Sequence, residues 1–382
     1  MAMLAIVNAN LVLENGILYG GSLLVDAGQI LSYGENLPLP ADAEILDAQG
    51  AYVGPGFVDI HVHAGGGYST CRDPEKAAAH FLRHGETSIL ATTDYHMSRE
   101  TMLESIENIK HAMKNTPNIK GIYMEGPYTN PDYGSHADKN PWRYGVLEAD
   151  YKPLVDACGD AVRVWVIAPE REDLLPFLSY VKEVNPNAVI SVGHSEATPM
   201  QIRDLGKYRP ILMTHCMNAT GRQHEIPGLR GFGPDEYCFK EPDMYAELIS
   251  DSQGIHVHPE MQQLLVHTKG VHRVVLITDS TVYNNPIPER YSHITDLNFD
   301  HNGGIAGSKL TMDQACRNIM RHTNCGIAQA FLMASTNPAR AVGLTEVGVI
   351  EKGKVADLVF VDDKFNVQKV MLAGKLCRFE EV

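Results

Sequence analysis

From residue 55 to about residue 343 the chain alternates short apolar β runs with amphipathic helical segments, and this alternation limits the possible folds more than any other feature. Strand candidates fall at 56–61, 88–92, 120–125, 162–168, 189–194, 211–215, 246–250 and 274–279. Helical patterns lie between many of them, at 74–84, 99–114, 171–184, 199–206 and 259–268, and follow them at 311–323 and 326–342. Several open on a capping Asp, Ser or Thr. Eight β runs spread over about 280 residues fit a (β/α)8 TIM barrel, an α/β fold whose usual size is ~250 residues. A doubly wound open sheet is the other arrangement this pattern allows, because periodicity does not show closure.

The two ends read differently. Ala5-Ile6-Val7, Leu11-Val12-Leu13, Ser22 to Val25 and Ile30 to Tyr33 are short strands separated by Asn, Gly and Asp breaks. After Leu344 the β character returns in Val347 to Ile350, Ala356 to Val361, Val367 to Leu372 and Lys375 to Phe379. Neither end is long enough for a core of its own. The expectation is therefore a small β-sandwich domain built from residues 1–54 and 344–382, with the barrel at 55–343 inserted between its halves.

Bulk properties exclude some classes. A net charge of −15 argues against a nucleic-acid binder or a membrane-surface protein. Seven scattered cysteines with no Cys-x-x-Cys pair suggest reduced thiols and a cytoplasmic setting. Met1 to Gly20 has no basic n-region, so no signal peptide is expected, and no apolar run approaches the ~20 residues of a membrane span.

Chemistry gathers at the strand ends. His61, Glu125, His194, His215 and Asp279 close the first, third, fifth, sixth and eighth β runs, with spacings of 64, 69, 21 and 64 residues. Catalytic groups of such barrels come from the C-terminal ends of several strands. One histidine in such a place is an ordinary core residue; five ends carrying only His, Glu or Asp point to a site. His61 and His63 share a face of one strand, and Gly65-Gly66-Gly67 follows them. Imidazole and carboxylate without thiolate suit Zn, Fe, Mn or Co in a hydrolytic centre, holding one divalent ion or two.

Together, Gly54-Pro55-Gly56-Phe57-Val58-Asp59-Ile60-His61-Val62-His63, Tyr123-Met124-Glu125-Gly126-Pro127-Tyr128, Val192-Gly193-His194-Ser195, Thr214-His215-Cys216-Met217-Asn218-Ala219 and Ile277-Thr278-Asp279-Ser280 resemble the amidohydrolase superfamily. Within it the match is to the N-acetylglucosamine-6-phosphate deacetylase family, and it extends to Asn337-Pro338-Ala339-Arg340 and Gly353 to Val359. The resemblance implies metal ligands at Glu125, His194 and His215, and a second metal position at His61 and His63 with Glu125 bridging. Asp279 would be the general base and a possible ligand, and His136 the contact to the scissile carbonyl. Ser135, Asn218, Ala219, Gly254, His256, Ile305, Ala306 and Gly307 would line the pocket of a small N-acetylated amino sugar. A homodimer is expected by analogy with the family.

One departure concerns phosphate. The family commonly places an Arg close before Pro-Gly-Leu to hold the 6-phosphate, in a planar bidentate fit. Here Arg222 lies farther from Pro227-Gly228-Leu229, an acid fills the nearer place, and Arg230 follows. Arg222 or Arg230 would serve, or the substrate lacks that phosphate. Two other readings stay open: a cyclic-amide hydrolase of the same superfamily, disfavoured because Glu125 takes the place of its bridging lysine, and a non-catalytic binding relative, disfavoured by the retained Asp279.

Overall fold

A computed structural model describes residues 3–222, 231–283 and 285–379. At its centre are β1 (Phe57–Val62), β2 (Glu86–Thr93), β3 (Ile119–Met124), β4 (Val162–Ile167), β5 (Val189–Val192), β6 (Leu212–Met213), β7 (Tyr245–Ile249) and β8 (Val274–Ile277). These eight strands pair in parallel and in chain order. Every residue of β1, β2 and β5 is buried, as expected of strands covered on both faces. Helices such as Arg99–Met113 and Leu174–Val184 turn Met102, Ile106, Phe177 and Leu178 onto the outside of the strands.

Closure, which periodicity left open, comes from bonds that β1 and the residues just after it make with the residues just after β8. Asp59 on β1 accepts the Thr278 hydroxyl at 2.5 Å and the Thr278 N–H at 3.3 Å. The N–H of Asp279 donates to the His61 carbonyl at 3.0 Å, and those of His63 and Ala64 donate to the Ser280 carbonyl at 2.9 and 2.8 Å. The result is a nearly closed barrel.

Three strands are shorter than the sequence suggests. The runs expected to end at His194, His215 and Asp279 stop two residues earlier, at Val192, Met213 and Ile277. Those three residues adopt φ of 46°, 25° and 46°. A left-handed backbone cannot continue a strand, and it costs an L residue ~1–2 kcal/mol. Each chain therefore turns sharply as it leaves the barrel and throws a ligand-type side chain over the mouth.

A second sheet contains strands from both chain ends. Leu4–Leu13, Gly16–Asp26, Gln29–Gly34, Glu44–Asp47 and Tyr52–Pro55 join Leu358–Val361, Val367–Leu372 and Lys375–Leu376. The two contributions meet where Tyr52–Pro55 pairs antiparallel with Leu358–Val361. The sequence break at Asn8 is a bulge inside one strand, with φ 54° and a register shift between Ile6 and Ala9. The sheet folds over its own core of Ile6, Leu23, Val53, Leu358 and Phe360, and Ala356 N–H reaches the Gly28 carbonyl at 2.9 Å. Phe57 at the start of β1 packs on Phe331 and Phe365, with ring centroids 5.5 and 5.9 Å apart, and so joins barrel to sheet.

Candidate active site

Two triads meet at the barrel mouth. Ligand-type atoms of Glu125, His194 and His215 all lie within 4.8 Å of one another, as do those of His61, His63 and Asp279. Glu125 faces both. Its Oε1 is 2.8 Å from His194 Nε2, 3.1 Å from His215 Nε2 and 3.6 Å from His61 Nε2, and its Oε2 is 3.2 Å from His63 Nε2. Asp279 Oδ1 lies 3.4 Å from His63 Nε2 and 3.8 Å from His61 Nε2.

The outward ring nitrogens decide what the inward ones offer. Carbonyl and carboxylate oxygens only accept, so a ring nitrogen bonded to one carries a proton. His194 Nδ1 donates to the Tyr133 carbonyl at 3.3 Å, His215 Nδ1 to the Asn218 carbonyl at 3.1 Å, and His61 Nδ1 to Glu247 Oε2 at 3.1 Å. His63 Nδ1 lies 3.0 Å from Asp94 Oδ1, near enough for an ion pair although off the line of a good hydrogen bond. In the neutral rings, the Nε2 lone pairs of His61, His194 and His215 then point inward at Glu125, and His194 and His215 Nε2 stand 3.1 Å apart. Lone pairs facing carboxylate oxygens repel unless a cation lies among them. His61 Nε2 is buried with no hydrogen-bond partner among the described residues. This donor set fits a divalent metal, with outer acceptors orienting the imidazoles.

The charge balance agrees. Burial alone would keep His61 neutral, yet the Glu125 and Glu247 carboxylates outweigh it and lift its pKa to about 10. Burial likewise opposes charge on His63, and Asp94, Asp279 and Glu125 raise it well above the usual imidazole range. Glu125 is held well below the carboxylate range despite its burial, because His61, His194 and His215 surround it. The pocket floor attracts positive charge.

A cavity of about 270 Å³ opens above the triads. Of the residues expected from sequence, His63, Glu125, His194, His215, Asp279, Ser135, Asn218, Ala219, Ile305, Ala306 and Gly307 line it. His61 is fully buried beneath. His136 is not in the lining; it stacks behind His96, centroids 5.5 Å apart, and against Tyr283 at 4.8 Å and His301 at 5.1 Å. Arg222 and His256 border an adjoining cavity, also about 270 Å³, whose wall includes Phe239. Asn218 connects the two, its side-chain amide donating to the His256 carbonyl at 3.3 Å. Arg222 pairs with Glu236. Gly254 lines neither cavity; its φ of 65° forms the turn before His256, and a Cβ there would come 2.5 Å from the Pro259 ring. Arg230 lies outside the described residues.

Sequence reasoning missed Asp94, Tyr95, His96, Tyr283 and Asp300, which line the same cavity. Asp94 was within reach of the strand-end argument, because β2 runs to Thr93 and not to residue 92. Also missed was Glu247, a charge inside the buried strand β7.

Comparison with known proteins bears on this constellation. Residues 254–377 match the Amidohydrolase family. An N-acetylgalactosamine-6-phosphate deacetylase of Escherichia coli O157:H7 is 32% identical over 360 residues, covering 90% of this chain and 91% of that protein. The chain belongs to the amino-sugar-6-phosphate deacetylases of the amidohydrolase superfamily. An N-acetylglucosamine-6-phosphate deacetylase of Lysinibacillus sphaericus is 27% identical, over 87% of each chain. In fold, the chain superimposes on the N-acetylglucosamine-6-phosphate deacetylase of Pasteurella multocida with a TM-score of 0.85, covering 98% of this chain and 99% of that one at 24% identity. As an amidohydrolase, this chain is a hydrolytic enzyme of a superfamily that typically uses divalent metals. No helix among the described residues is long and apolar enough to cross a membrane.

Proposed function

We propose that this amidohydrolase hydrolyses the acetamide of an N-acetylated 2-amino-hexose 6-phosphate, releasing acetate and the amino sugar phosphate. The observation that carries the reading is the convergence of four oriented imidazoles and two carboxylates beneath a cavity the size of one sugar. Glu125, His194 and His215 would hold one ion and His61, His63 and Asp279 a second, shared through Glu125; zinc is the proposed metal, with Fe, Mn or Co as candidates. Bound there, a divalent ion polarises a carbonyl and lowers the pKa of water toward ~7.

The chain's own groups do the rest. Asp279 takes a proton from the attacking water and passes it to the departing amine. Burial and the neighbouring His96 lower the pKa of His136, and its Nδ1 is buried with no hydrogen-bond partner among the described residues; the neutral ring would have to swing toward the cavity lining to donate to the developing oxyanion. Asn218, Ala219 and the Ile305-Ala306-Gly307 strand would hold the sugar, and Arg222 and His256 would take the phosphate from the adjoining cavity. Barrel residues 55–343 carry this chemistry in a cytoplasmic homodimer, with the chain ends as a supporting domain.

N-acetylglucosamine 6-phosphate is the proposed substrate. The galacto epimer is a second reading, favoured by the 32% identity to a protein named for it. The test is acetate release from N-acetylated glucosamine, galactosamine and mannosamine, each with and without 6-phosphate, at defined metal content. Activity on a phosphorylated member supports the reading. No acetate from any refutes it, and activity on the free sugars alone removes the phosphate role of Arg222.

A further inference from the structure

Glu247 is fully buried in β7, a strand that contributes no ligand to either triad. A buried carboxylate is costly unless its oxygens are well bonded, and here each bond leads to the site. Oε2 accepts from His61 Nδ1 at 3.1 Å and from the His215 backbone N–H at 3.0 Å. Oε1 accepts the Tyr123 hydroxyl at 2.9 Å. The Tyr123 ring meanwhile stacks on His61, centroids 4.4 Å apart and 28° from parallel. His61 is thus gripped at its edge by Glu247 and on its face by Tyr123. The same oxygen also secures the N–H of His215, whose φ of 25° aims that imidazole at Glu125.

We propose that Glu247 is the positioning residue that makes the His61 half a metal site, by fixing the Nδ1 proton and ring plane of His61, and that it ties this half to His215 of the other. The inference rests on reading His61 and His215 as ligands. Losing an outer partner of this kind typically costs about 10- to 100-fold in metal affinity.

The test is zinc binding to the full chain, measured by competition with a chelator and by metal analysis. Wild-type protein should take two ions. Glu247→Gln, similar in shape but with one oxygen replaced by a donor, should bind the second ion at least tenfold more weakly. In a His61→Gln background, which leaves the other triad, Glu247→Gln should weaken the remaining ion as well, through His215. Two ions held by Glu247→Gln as tightly as by wild type would overturn the proposal, whereas no zinc binding by wild type would overturn the metal reading beneath it. Should Glu247→Gln not fold, the ¹⁵N spectrum of zinc-loaded wild type decides: His61 with its proton on Nδ1 supports the proposal, and a proton on Nε2 refutes it.

Discussion

Replacing Asp279 by Asn separates the reaction from the binding of its metal. The substitution suits the backbone, since Asn is among the residues that best tolerate the left-handed region, and Asp279 has φ 46°. The amide oxygen can occupy the place of Oδ1, 3.4 Å from His63 Nε2, and the triad of Glu125, His194 and His215 is not altered. What disappears is a carboxylate that accepts a proton. General-base contributions of this kind amount to roughly 10²- to 10⁴-fold, or about 3–5 kcal/mol of barrier. The assay is acetate release under saturating substrate, with metal content measured on the same sample. The variant should keep at least one ion per subunit and lose at least a hundredfold in kcat. A metal-loaded variant within tenfold of wild type would refute Asp279 as the base.

Four further outcomes are expected. Changing both His61 and His63 to Gln leaves the second triad with Asp279 alone, so metal analysis should find half the wild-type content. Gly134→Ala would bring a methyl within 2.5 Å of His194 Nδ1 at a backbone φ of 102°; chelator competition should show at least tenfold weaker metal binding. Asp251 titrates at about 2: burial opposes its ionisation, but the His256 ring and backbone N–H groups outweigh that. A depressed carboxyl stabilises the fold above its unfolded value and loses that contribution as pH falls, so Asp251→Asn should cost about 2 kcal/mol in urea unfolding at neutral pH and narrow the gap to wild type between about pH 4 and 2. Phe57→Ala empties the contact with Phe331 and Phe365 and should cost about 3–5 kcal/mol, read from the urea midpoint.

How much was legible in sequence depended on distance along the chain. Strand-forming runs and their polar endings are local signals, and they located Glu125, His194, His215 and Asp279 before any coordinates. Their left-handed turns were not local in the same sense: nothing in Gly193-His194-Ser195 states that the ladder ends two residues early. Glu247 carried a signal that was passed over, a charge between Ala246 and Leu248 in a buried run. Tyr283 and Asp300 reach the cavity from long connections whose paths depend on tertiary packing. His136 was placed by resemblance, and only the structure shows it stacked on His96, a residue of the cavity lining, and outside that lining itself.

The second sheet has a consequence for the order of folding. Tyr52–Pro55 pairs on one edge with Leu4–Leu13, nearby in the chain, and on the other with Leu358–Val361 some three hundred residues later, so that second edge waits on a far slower, non-local contact. The β1 strand begins two residues after Pro55 and can seek β2 long before that partner arrives. Local pairing therefore favours a barrel that forms before the sheet is joined, with one edge of Tyr52–Pro55 unpaired meanwhile. A chain released before residue 358 would carry every ligand of the mouth and still lack the pairing that covers this edge.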